Sequence, residues 1–242
     1  MEIEILTGLI FFVALLYSSV GHAGASGYLA AMALAGIAPE VMKPTALTLN
    51  ILVAGIATVQ FYRAGCFSWS LFWPFALTSI PFAFMGGFIT LDATIYKQVL
   101  GLVLLFVAYR LFSSTAITPS PKKAISLQIA LVCGAGIGFL SGLIGVGGGI
   151  FLSPLLLFMG WAGVKDQAGV AAAFILVNSL AGFFGHLIAL KSLPSVLPYW
   201  IIAAVIGGII GARLGSRRLG NLALRRVLAV VLVVAVLKLL LV

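Results

Sequence analysis

Charge is nearly absent from this chain. Asp, Glu, Lys and Arg together make up 8% of its 242 residues, where a soluble domain carries about 25%. So few charges cannot cover a water-facing surface, so the solvent around most of the chain is lipid. Acidic residues are the scarcest: five in all, none at the centre of an apolar segment. That excludes a carboxylate relay and a sodium cage of carboxylates, and leaves a membrane enzyme without an acid–base pair. The two cysteines, Cys66 and Cys133, lack metal-ligand spacing, so neither a zinc site nor a disulfide framework is expected. The sequence therefore implies no catalytic residues, no metal and no cofactor. The net charge of +9 would suggest nucleic acid in a soluble protein. Here the basic residues sit in short loops between apolar runs, where they set topology, and no nucleic-acid partner is expected. An acidic start, Met1-Glu2-Ile3-Glu4, is unlike a cleaved signal peptide, and no cleavage is expected.

What is present is apolar sequence, 63% of the chain. The runs do not alternate as the strands of an outer-membrane barrel would. Eight segments can be drawn: Ile5–Ala38 (interrupted by Gly21, Gly24 and Gly27), Thr45–Tyr62, Trp69–Leu91, Gln98–Phe112, Ala124–Gly160 (interrupted from Gly142 to Gly149), Gln167–Leu190, Val196–Ala212 and Leu222–Val242. A polar linker, Ser113–Lys123, divides them nearly in half. Shifting the chain by 124 positions aligns Gly21 with Gly145, Gly24 with Gly148, Gly36 with Gly160, Pro74 with Pro198 and Gly87 with Gly211. Glycine and proline pairs weigh more than aliphatic ones, because each marks a backbone requirement. Gly-interrupted segments in corresponding places point to a transporter's binding site.

The basic residues choose between two arrangements. If each interrupted segment crosses once, they split six to eight, which decides nothing. If each enters and returns on one side, ten fall on one face (Arg63, Arg110, Lys122, Lys123, Lys165, Arg213, Arg217, Arg218, Arg225, Arg226) and four on the other (Lys43, Lys97, Lys191, Lys238). The second arrangement fits the positive-inside rule. The expected fold is thus an all-α polytopic membrane protein with two inverted-topology repeats, 5–112 and 124–242, joined by a cytoplasmic linker, 113–123, in one transmembrane domain. Each repeat starts with a Gly-broken helical hairpin, and both termini lie outside. The arms Ile5–Ser19 and Tyr28–Ile37 are shorter than the about 20 residues of a full crossing. The Ala124–Ser141 arm is long enough to cross. The arginines from Arg213 to Arg226 are expected at cytoplasmic headgroups. The sequence carries no signal for the number of subunits.

The sharpest local sequence is Ser141-Gly-Leu-Ile-Gly-Val-Gly-Gly-Gly-Ile-Phe-Leu-Ser-Pro154. Unpaired amides at the start of the helix after it, with the helix dipole, favour an anion. Gly145, Gly147, Gly148, Gly149 and Ile150 are the candidate ligands. Tight helix packing is the plainer explanation of the same glycines. A dinucleotide site is excluded, since that motif needs a strand before its helix. The matching first-half run, Ser18 to Gly27, contributes Ser19, His22, Ala25, Ser26 and Gly27. His22 either donates to an anion or carries a coupled proton, or is a neutral histidine bonded to a carbonyl freed by the break. Thr48, Asn50 and Asn178, on the helices that follow, complete the candidate site, although bonding between helices is the commoner fate of such residues. His186, near a segment end, is expected at the interface.

Gly142-Leu-Ile-Gly-Val-Gly-Gly-Gly149 with Pro154, the tandem halves, and Gly211-Ala-Arg-Leu-Gly-Ser-Arg-Arg-Leu219 with Arg225-Arg226 resemble the TauE/SafE sulfite exporter family, the four-toluene-sulfonate uptake permease group. The first half departs from the motif at Ala23, Ala25 and Ser26. The resemblance implies movement of sulfite, sulfonates or small sulfur-containing organic anions across a bacterial inner membrane. A secondary transporter, by resemblance an exporter, is therefore the first expectation. Its partners are a small anion, the lipid bilayer and a possible coupled proton. An uptake permease or channel for another small organic anion is the alternative; broken helices in inverted repeats suit alternating access better than a channel.

Overall fold

Each glycine-rich run ends one helix and starts another. The computed structural model describes residues 3–112, 124–187 and 193–217, with Val233 and Leu237 beyond them. The linker, Lys191, the arginines beyond 217 and nearly all of the eighth apolar segment lie outside the described residues. The described residues form helices and no strand: α1 (Ile3–Ser18), α2 (Ala25–Leu34), α3 (Pro39–Arg63), α4 (Trp69–Phe88), α5 (Ala93–Phe112), α6 (Leu127–Ile144), α7 (Gly149–Phe158), α8 (Val164–His186) and α9 (Leu197–Arg217). Five of them, α3, α4, α6, α8 and α9, are long and apolar enough to cross a membrane. Large apolar side chains stand exposed along them, Leu77, Val132 and Ile202 among them, as lipid contact requires. Tyr62, Trp69 and Tyr199, near helix ends, have the amphipathic rings suited to the two interfaces.

The helix boundaries recur at the sequence offset. α2 begins at Ala25 and α7 at Gly149, 124 positions later, and both have 10 residues. Both stop in the same way. Gly36 and Gly160 take positive φ, and the next amides, of Ile37 and Trp161, reach back to Met32 and Leu156. This is the Schellman stop.

Close contacts fix the helix directions. Along α3, Leu47, Asn50 and Gly55 meet Gly182, Ser179 and Leu176 of α8, so these two helices run antiparallel. Along α6, Gly134, Gly138 and Gly142 meet Phe75, Ser79 and Ala83 of α4, so this pair runs parallel. Along α9, Gly207, Gly211 and Gly215 meet Phe11 and Leu15 of α1 and Ser19 just past its end, again parallel. Both parallel seams have glycine at every fourth position of one helix, which brings backbones into contact.

We call the end of the bundle where α3 begins proximal and the other distal. α8 begins distally, with Gly169 against the Cys66 carbonyl just past α3. α1 ends distally, since Gly21 lies on Ala168. α2 then folds back, with Gly24 and Gly27 against Val13 and Tyr17 of α1, and α3 begins again at the proximal end. α6 ends proximally, with Gly145 beside Lys43, and α7 returns toward the start of α8. Both broken segments are therefore hairpins. Arg63, Lys165 and Arg213 consequently sit toward the distal end, and Lys43 toward the proximal end.

Candidate functional site

The second hairpin turns near the proximal end and comes back to mid-bundle. Gly148 is the N-cap of α7, at φ 78°. A side chain rarely adopts that backbone conformation, and glycine holds it at no steric cost. Gly149 packs on Ile175, the middle residue of α8, and Gly147 lies between Asn50 of α3 and Ile175 and Ser179 of α8. The start of α7, where helix amides lack intrahelical acceptors, is thus at the mid-length of the two antiparallel helices. A helix of 10 residues spans about 15 Å, half of the about 30 Å hydrocarbon core. The first hairpin has the same form. α2 is capped by Gly24 at φ 105° and begins with Ala25, Ser26 and Gly27, all buried.

Among the apolar side chains at the α7 start, Ile137, Phe174 and Ile175, several polar side chains are fully buried. The Asn50 amide donates to the Val146 carbonyl oxygen at 3.4 Å and to Ser179 Oγ at 3.3 Å. Its Oδ1 is buried with no hydrogen-bond partner. Ser141 Oγ, one turn before the α6 end, is also buried without a partner, and its Cβ lies by Gly148. Asn178 donates to the Phe174 carbonyl at 2.8 Å, within its own helix, and its Oδ1 is unpartnered too. Leaving such atoms unmade costs about 1–3 kcal/mol each. Ile150, the second residue of α7, is buried as well.

A second polar group links the hairpins. His22 Nε2 lies 3.1 Å from Ser153 Oγ on α7, and Gln167 of α8 donates to the same oxygen at 2.5 Å. His22 Nδ1 lies 3.1 Å from the Val20 carbonyl. The imidazole therefore bonds a carbonyl of its own break, and it also reaches the second hairpin. Ser26 Oγ donates to the Tyr17 hydroxyl at 3.1 Å.

Other expected site residues are satisfied locally. Ser19 Oγ donates to the Leu16 carbonyl at 2.7 Å, and its backbone lies against Gly215. Thr48 Oγ1 donates to the Pro44 carbonyl at 2.8 Å, four residues back. Asn50 and Gly147 come together, as do His22 and α7. Ser153, Gln167 and Lys43 were not among the candidates. The offset of 124 could have pointed to the last two, because it aligns Lys43 with Gln167, each beside the hairpin turn of the opposite half. His186, the last residue of α8, is buried, because α8 ends against α4, with Gly185 on the Phe84 carbonyl.

A family model described as the sulfite exporter TauE/SafE matches residues 6–239. The chain belongs to this family. A probable membrane transporter protein of Sinorhizobium fredii is 44% identical over 234 residues, 95% of each chain. A probable membrane transporter protein of Methanocaldococcus jannaschii is 29% identical over 125 residues, 50% of this chain and 46% of its own. No solved structure matches the chain. This TauE/SafE member is a multi-pass membrane transporter, not an enzyme.

Proposed function

We propose that the protein is a secondary transporter of sulfite or a related small sulfur-containing anion, and works as an exporter. The observation that carries this reading is the α7 N-terminus at the mid-length of α3 and α8, beside Asn50 and Ser179. Backbone amides of Gly149 and Ile150 offer donors without a fixed charge, and the dipole of α7 favours the anion. The amides of Ala25, Ser26 and Gly27 do the same from α2, with His22 between the hairpins. The described conformation is closed, since Asn50, Phe174 and Ile175 pack against Gly147–Gly149. Loading requires one hairpin to move relative to α3 and α8.

The antiparallel pairing of α3 with α8, which occupy equivalent places in the two halves, supports inverted repeats. A two-fold axis that exchanges antiparallel neighbours runs across them, hence in the membrane plane. Exchange of the halves also maps the α1–α9 seam onto the α6–α4 seam. Flux of labelled sulfite, sulfate, thiosulfate and small sulfonates in proteoliposomes, with and without a pH gradient, tests the function. Saturable sulfite flux is expected, and flux no greater than in protein-free liposomes for every one of these anions would end this reading. Saturable uptake of a non-sulfur organic anion alone would favour the permease alternative.

The distal end, with Arg63, Lys165 and Arg213, faces the cytoplasm of a bacterial inner membrane in this reading, and both termini lie outside. In a background with Cys66 and Cys133 changed to Ser, Asp92→Cys is expected to react with an impermeant thiol reagent on intact cells. Ala64→Cys is expected to react only after the cells are opened. The reverse pattern would invert the orientation.

A further inference from the structure

Lys43 is a buried cation near the proximal end. Its side chain is 4% exposed. Its ammonium donates to the carbonyl oxygens of Gly87, at 3.0 Å, and Ile89, at 3.2 Å, at the end of α4. Both acceptors are uncharged. An ammonium has three donors, so one remains after these two bonds. A lysine held inside a membrane helix bundle against neutral carbonyls is costly, and such residues mark ion and substrate pathways.

Two further observations tie Lys43 to the second hairpin. Its Cγ and its own carbonyl oxygen border the turn at Gly145, which a Cβ would approach to 3.2 and 3.3 Å. That turn joins the proximal end of α6 to the α7 N-terminus. The second observation is His186. It is 6% exposed, and its Nδ1 is buried with no hydrogen-bond partner. It approaches the same Gly87 backbone and lies within the field of Lys43. Beside them Gly87, Gly142 and Gly182 touch through their backbones. Among the described residues, the opposite end, although it carries Arg63, Lys165 and Arg213 on its surface, has no such buried cation. There the equivalent residue is Gln167, whose amide is already engaged by Ser153.

We propose that Lys43 and His186 form an anion-holding station at the proximal mouth of the second hairpin, taking a small oxyanion on its path to or from the α7 N-terminus. The station rests on the anion-transport reading above. The free donor of Lys43 contacts one oxygen of the oxyanion, and the His186 Nδ1, once it carries a proton, donates to an adjacent oxygen. Among the described residues, the distal mouth, lined by the Gln167–Ser153–His22 chain, has no buried lysine or arginine. The two ends of the path therefore bind the substrate unequally.

The test uses the full chain in proteoliposomes, with sulfite as the probe. Lys43→Met keeps the stem and removes the charge. It is expected to raise KM about ten- to hundredfold, the range for losing a hydrogen bond to a charged group, with little change in maximal rate. Lys43→Arg is expected to recover most of the parent KM. His186→Leu is expected to raise KM by a smaller factor. A purely structural Lys43 predicts something else: a lower melting temperature for Lys43→Met, with the parent's KM and the parent's sulfite-induced rise in melting temperature. That result overturns the station. Should Lys43→Met fail to insert, His186→Leu decides alone, and an unchanged KM overturns the proposal. If the parent itself moves none of the sulfur anions, the transporter reading fails first. A parent that transports, with a Met variant of equal KM, sinks the Lys43 station only.

Discussion

Gly147→Val is expected to lower sulfite flux more than about a hundredfold in a protein that still inserts. Gly147 sits at φ 79°, and a Cβ there would come within 2.7 Å of the Asn50 amide, 2.8 Å of Ile175 and 2.9 Å of Ser179 Oγ. A β-branched residue at that φ costs about 1–3 kcal/mol in backbone strain alone. The displaced Asn50 would also lose its bonds to Val146 and Ser179. A hundredfold loss corresponds to about 2.8 kcal/mol, so strain and one lost bond account for it. Flux in proteoliposomes, against the parent at equal reconstituted protein, is the measurement. Unchanged sulfite flux in that variant would remove the second hairpin from the pathway.

The largest effect on folding is expected at Gly142. A Cβ there would overlap the Ala83 carbonyl and approach the Gly87 amide to 2.8 Å. These are backbone atoms, which cannot rotate away. Gly142→Val should therefore push α4 off α6, beyond the about 1–3 kcal/mol of ordinary overpacking, and little folded protein should survive extraction in detergent. Gly136→Val on the same helix is the control, because a Cβ there meets nothing within 4 Å. Size-exclusion profiles of the two variants give the comparison. A monodisperse peak for Gly142→Val would show that the seam can yield.

Much of this architecture is legible in the sequence because its punctuation is glycine. Gly36 and Gly160 end the two half-helices, and Gly24 and Gly148 start them, each at positive φ. A backbone demand of that kind leaves a mark that aliphatic residues do not. The segment ends were read less well. Apolar counting began the third helix at Thr45 and so left Lys43 in a loop, while the helix runs from Pro39. Hydropathy cannot see a charge carried inside a span by carbonyls 44 and 46 positions away. The burial of His186, at the end of α8, was hidden for the same reason. Its burial comes from α4, not from its own segment. The Ser153–His22–Gln167 chain was invisible because three separate helices or turns assemble it.

The parallel seam between α1 and α9 imposes an order on biosynthesis. Phe11 finds Gly207 only 196 positions later in the chain. At about 5–20 residues per second, the first helix to leave the ribosome waits roughly 10–40 s for its main neighbour. For that interval α1 has only the hairpin return and α3 beside it, and the face that will receive three glycines is covered by lipid or by an insertase. Truncation anywhere before Gly207 would leave that face permanently open. The nascent chain is thus most exposed to quality-control proteolysis just before its last helices are made, and the first helix in is among the last to be locked.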